Sequence, residues 1–370
     1  MGFGNWHIAV VLSVVNFLTL QYLTPLKREG AGGGSADQRL VIGFFSMRTL
    51  LAVVVLVLAG CAEKPAVPAE PAVSVAASVA FTEGPAQGPD GMMYFTDVAN
   101  NRILRLNPAT KKPEVFRADS NRANGLLFDS QGRLIACEGS DGERNQPRVT
   151  RTEMKTGKVE ELAAKYEGQL FNAPNDVTAD SKGRLYFTDP APDATSPSSK
   201  AKGATGKPGV YRIDTDGKIT RLLTAPDTEW PNGLVISPDD KTLYLIEANK
   251  VEGGTRAIRA YDLSAEGTLS NRRVHYNFYP GRSADGMAID VEGNIYAAAG
   301  LHRLRGTQET LDTKCGVHVI SSVGKLLRFI PVPEDTITNT AFGGTDNKTL
   351  FITAGKTLFQ IPNGIAGMNR

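Results

Sequence analysis

The sequence predicts an all-β fold: a six-bladed β-propeller with four-stranded blades, closed by an N-terminal strand. Six times a polar amide or carboxylate opens a short apolar run, and a Gly-containing turn and a second β-rich run follow. The openings are Glu83, Asn124, Asn175, Asn232, Asp285 and Asn339, spaced 41, 51, 57, 53 and 54 residues apart, close to the length of one four-stranded blade. Between them, runs of β-branched and aromatic residues are parted by Asp-Gly and Lys-Gly turns, which accept positive φ.

The third repeat shows the blade plan. Asn175 opens an innermost strand at 177–180, DSKG reverses the chain, and 184–188 makes a second strand. GVYRID (209–214) is the third, DTDG a second tight turn, and 219–223 the fourth. The same grammar recurs as GVHVISSVGKLLRFI in the fifth repeat. The last repeat lacks a convincing fourth run after TLFQI, and VSVAASV, just upstream of Glu83, is expected to complete its sheet and remove the open seam. The longest insertions, 138–147, 190–208, 247–256 and 299–316, fall on the face where the innermost strands begin, as a site above the axis requires.

With 41 Lys and Arg against 39 Asp and Glu, the net charge of +2 offers no basic field, so neither nucleic acid nor an anionic surface is an expected partner. A hydrophobic content of 41% fits a globular protein. The 370 residues divide into an upstream extension at 1–46, read as misassigned, a lipoprotein-type signal at 47–61, a Pro/Ala-rich tether at 62–73 and the propeller at 74–370. The signal reading rests on Arg48, the apolar run and Leu58-Ala59-Gly60-Cys61, which makes Cys61 the expected lipidation site and the cell envelope the expected location. Cys137 and Cys315 fall in the second and fifth repeats, across the ring from one another, and are expected as two buried thiols rather than a bridge.

Radial closure brings the opening residues together on one axis. Glu83, Asn175, Asn232 and Asp285 are then four hard oxygen donors, two of them charged, and oxygen-only ligation suits calcium or magnesium. The competing reading, that Asn and Asp merely cap strand starts, describes a single such residue better than four at one blade position. Neither an HExxH motif nor a Cys-x-x-Cys pair supports zinc hydrolysis, and no GxSxG elbow supplies a serine nucleophile.

The ordered set FTEGP, NGLLFD with GRLIACE, APNDVTAD with GRLYFTDP, WPNGLVISPD, ADGMAID and AFGGTDNKTLFITA resembles the gluconolactonase and senescence marker protein (regucalcin) family from about residue 76 to the end. The resemblance implies a divalent cation, usually calcium, with magnesium, manganese or zinc as other ions. It also implies hydrolysis of a sugar lactone; a monomer is the expected state. Its implied ligands are Glu83 of EGP, Asn175 of PND, Asn232 of PNG and Asp285 of ADG, with Asp285 also the implied general base. Asn124 and Asn339 either orient substrate hydroxyls or serve buried structural roles, and His302, Arg303 and Arg305 either reach a sugar acid or are solvated loop charge. Two other functions stay open: an esterase or phosphotriesterase on the same cation, and a tethered binding propeller without turnover.

Overall fold

The computed structural model describes residues 72–107, 109–140, 146–191 and 204–368; the expectations for 1–46, for the signal with Cys61 and for nearly all of the tether lie outside the described residues. Six antiparallel four-stranded sheets follow one another as blades 1 to 5, at 82–118, 123–163, 177–224, 231–277 and 284–331, and blade 6, at 337–362. Blade 6 takes its outermost strand from Ser74–Ser78, which pairs antiparallel with Thr357–Pro362 (Ser74 opposite Gln360, Ser78 opposite Thr357). The expected N-terminal closure is therefore present, and it covers an edge that would otherwise expose unpaired backbone.

The hairpins form where the sequence supplies turn chemistry. In blade 3, Asp180 Oδ1 accepts from the backbone N–H groups of Lys182 and Arg184, both at 3.0 Å, while Gly183 takes φ +78°. The strands on either side, Val177–Ala179 and Leu185–Asp189, then pair in register. A two-stranded hairpin, Lys165–Tyr166 with Gln169–Leu170, links blades 2 and 3.

The core lies between neighbouring sheets. Ile135, Cys137 and Val149 of blade 2 pack against Phe171, Val177, Phe187 and Tyr211 at blade 3. Tyr296, Val317 and Val319 of blade 5 pack against Phe342, Leu350 and Ile352 of blade 6. Side chains alternate along a strand, so the second strands, such as Met93–Asp97, Leu134–Glu138, Leu185–Asp189 and Ile295–Ala299, bury both faces between neighbouring blades, whereas the outermost strands are largely exposed. Cys137 and Cys315 are free and buried in two different clusters, as two unbridged thiols. Among the described residues no helix is long and apolar enough to cross a membrane.

Candidate metal centre on the propeller axis

The innermost strands begin at the axis, and in five of the six blades the pairing slips there. The register shifts between Glu83 and Ala86, Ala123 and Leu126, Pro231 and Leu234, Ala284 and Met287, and Ile337 and Asn339. An inserted residue of this kind bends a strand and re-aims a side chain. In blade 3 the ladder starts only at Val177, so Asn175 and Asp176 lie ahead of it.

Cross-strand pairing sets the blades in register. Leu126, Leu234, Met287 and Thr340 stand opposite Ala136, Leu245, Ala297 and Ile352, and the residues two positions earlier are Asn124, Asn232, Asp285 and Thr338. The sixth opening residue is therefore Thr338, not Asn339. Thr338 is buried, and its hydroxyl donates to the Thr82 carbonyl at 2.9 Å. Asn339 falls one place later, in the tier otherwise occupied by Gly84, Gly125, Asp176, Gly233 and Gly286. Four glycines make room in that tier for two side chains: a Cβ at Gly125 would meet Asp176 Oδ1 at 2.5 Å, and one at Gly286 would overlap Asn339. Asn339 Nδ2 donates to Asp176 Oδ2 at 3.3 Å.

The upper tier holds the expected donors. Glu83 is buried, and the Gly84 N–H donates to its Oε2 at 3.1 Å. Burial, reinforced by the charges of Asp285 and Asp176, pushes the Glu83 carboxyl well above the usual carboxylate range, against the Gly84 hydrogen bond and Arg282. Asp176 is pushed up to about 7, chiefly by burial, with the Val177 N–H and Asn339 opposing. Asn232 Nδ2 donates to Asp285 Oδ1 at 2.7 Å, and Arg282 Nη2 donates to Asp285 Oδ2 at 2.6 Å. Asn124 and Asn175 are half-buried, and their backbones join neighbouring blades: Thr96 Oγ1 donates to Asn124 O at 3.1 Å, and Gly125 N to Asn175 O at 2.7 Å.

Three carboxylates thus interact at the axis beside one guanidinium, an arrangement that a divalent cation would neutralise. Among the described residues no three His, Cys, Asp or Glu side chains form a metal-holding group by themselves, so a cation here depends on the amide oxygens as well. The donor set fits a hard cation. Asn232 donates to Asp285 through Nδ2, which leaves its side-chain carbonyl oxygen as the atom it could offer a cation.

His302, Arg303 and Arg305, for which the sequence leaves both a sugar-acid contact and solvated loop charge open, hydrogen-bond to the lead-in of blade 6 at Asp335 and Thr336. His302 and Arg303 are exposed; their backbone N–H groups donate to Asp335 at 3.2 Å, and His302 Nε2 lies 2.7 Å from the Val332 carbonyl. Arg305 donates to Thr336 Oγ1 at 2.6 Å. Beneath the tier of Asp176 and Asn339, a cavity of about 1570 Å³ runs along the axis past Leu126, Leu234, Met287 and Phe342 to the turns at 88–91 and 344–347. The axial residues therefore close its inner end.

The description "SMP-30/Gluconolactonase/LRE-like region" belongs to the family whose pattern matches residues 81–356. A gluconolactonase of Zymomonas mobilis subsp. mobilis is 25% identical over 310 residues, which is 78% of this chain and 80% of that one. A pentonolactonase of Haloferax volcanii is 28% identical over 276 residues, 73% of this chain and 80% of its own. Among solved structures, a gluconolactonase of Xanthomonas campestris superposes with a TM-score of 0.64 at 29% identity, covering 82% of this chain and 99% of that one.

Proposed function

The chain belongs to the SMP-30/gluconolactonase/LRE-like family, and on that premise we propose that it is a lactonase that hydrolyses sugar lactones with a divalent cation, calcium foremost, held by Glu83, Asn175, Asn232 and Asp285. The observation that carries the proposal is the electrostatic one: Glu83 is buried and raised well above its ordinary range by desolvation and by Asp285 and Asp176. A site that gathers carboxylates out of water is stable at neutral pH when a cation compensates them.

A bound divalent cation would supply Lewis-acid polarisation of the lactone carbonyl. The chain's own part is to set the donors and to handle the proton. Asp285 is the proposed acceptor of the proton from the attacking water; each of its oxygens accepts one hydrogen bond, from Asn232 or Arg282, and keeps a lone pair for a further donor. Cys61, beyond the described residues, is the proposed lipidation site on the strength of Leu58-Ala59-Gly60-Cys61. Mass spectrometry of the mature N-terminus tests it, and an unmodified end upstream of Cys61 would refute it.

The function is tested by following acid release from several aldonolactones in a pH-stat, in calcium and in chelator. Turnover is expected in calcium, lost in chelator and restored by calcium. An enzyme that hydrolyses aryl esters or phosphotriesters but no lactone would overturn the substrate class, and one indifferent to chelator would overturn the cation.

A further inference from the structure

We propose that Arg282 is a positioning residue that holds Asp285 to one-oxygen ligation and thereby keeps cation affinity down and a coordination position open. The proposal rests on the cation reading above. Its starting point is a difference in wiring between blades. The residue opposite the first residue of the innermost strand is a fully buried acid in blades 1, 2 and 4: Asp97 opposite Thr82, Glu138 opposite Ala123 and Glu247 opposite Pro231. Asp189, at the end of the second strand of blade 3, is a fourth. Three of these acids accept from the backbone leading to an axial residue. Phe81 N donates to Asp97 at 3.1 Å, Ala173 N to Asp189 at 2.7 Å and Trp230 N to Glu247 at 2.8 Å.

Blade 5 has Ala299 at that place, opposite Ala284. Its lead-in is held from the other direction. Arg282 is 9% exposed, its Nη1 donates to the Ile337 carbonyl of blade 6 at 2.9 Å, and its Nη2 donates to Asp285 Oδ2 at 2.6 Å. In blades 1, 3 and 4 a buried acid holds the lead-in through its backbone N–H groups; in blade 5 the same task puts a permanent positive charge on a proposed ligand.

Two consequences follow from the bonds. Asp285 Oδ2 is committed to Arg282, so a cation is left with Oδ1, the oxygen that also accepts from Asn232 at 2.7 Å. A monodentate carboxylate leaves a flexible-coordination cation such as calcium one position more for water or substrate than a bidentate one. The guanidinium charge also opposes the cation's, which weakens binding.

The experiment uses the full chain with terbium and calcium as probes. Terbium luminescence lifetimes in H2O and D2O count bound waters, and calcium competition gives affinity. Arg282→Met is expected to bind calcium about tenfold more tightly or better and to lose one bound water, as Asp285 turns both oxygens to the ion. In an Asp285→Asn background the same replacement should release no bound water and should tighten calcium by less, because only the charge repulsion is then relieved. Because Arg282 also bridges blades 5 and 6, Arg282→Lys provides a second arm: its point charge cannot make both bonds, and it should shift hydration and affinity in the same direction by less. Wild-type protein that binds both ions, with variants unchanged in hydration and no tighter for calcium, would overturn this proposal alone. Wild-type protein that binds neither ion would overturn the cation reading and this proposal with it.

Discussion

Asp285 and Glu83 share the axis but differ in surroundings, and that difference separates holding a cation from accepting a proton. Asp285→Asn keeps an oxygen donor and removes the proposed base, so lactone turnover should fall by roughly 10² or more even at saturating calcium, whereas Glu83→Gln should recover substantially as calcium is raised. Equal losses that calcium rescues in both variants would remove the base assignment. Proton linkage gives a second expectation. In cation-free protein the raised Asp176 carboxyl contributes stability that is complete below its ordinary value of 3.8 and lost as pH rises through about 7, and Glu83, raised in the same direction, adds stability that is likewise lost on the alkaline side. Calcium needs ionised ligands, so it should raise the melting temperature more at pH 8 than at pH 5, and an equal rise at both would contradict the assignment. Much of this tier was readable because Glu83, Asn124, Asn232 and Asp285 each precede a glycine. Blade 6 has no such dipeptide, so its sequence points to Asn339, one place after Thr338, the residue that pairing puts in register. Asp176 stands where the others have Gly, a signal present in PNDV but unused, and nothing in RSADG announces that Arg282 folds back onto Asp285.

At the scale of elements, the axial residues are only as well placed as the strands' lead-ins. Glu247 is fully buried and accepts from Thr228 Oγ1 at 2.7 Å, Glu229 N at 3.0 Å, Trp230 N at 2.8 Å and Arg259 Nη1 at 2.8 Å. Glu247→Gln removes the nearer of the two carboxylates that pair with buried Arg259, at 2.8 Å, and leaves only Glu229 at 3.4 Å, a change that costs up to about 3–5 kcal/mol. Urea unfolding should register that loss, and calcium affinity should fall with it because Trp230 leads to Asn232. A loss under about 1 kcal/mol would show that the network is dispensable. Strand positions were legible from turn chemistry to within a residue or so: 177–180 became Val177–Ala179 and 219–223 became Ile219–Thr224. The slipped pairing at five of the six innermost strand starts was not legible, because it is set by closure of the ring and not by any local propensity.

For the whole molecule, closure is the property from which the site follows. Removing residues up to 80 deletes Ser74–Ser78 and exposes the Thr357–Pro362 edge, so the truncated chain should melt lower and self-associate, with light scattering as the check. A truncation that stays monomeric with an unchanged melt would contradict the closing role. The ring closes on three interacting carboxylates, and the account stands or falls on what neutralises them. Calcium titrated calorimetrically into chelator-treated protein, with lactone turnover followed on the same samples, measures that directly. The account predicts one cation per chain, turnover rising in step with occupancy, and loss of both in a variant carrying Glu83→Gln and Asp285→Asn. Full turnover before any cation is added, or binding that survives the double substitution, would contradict it.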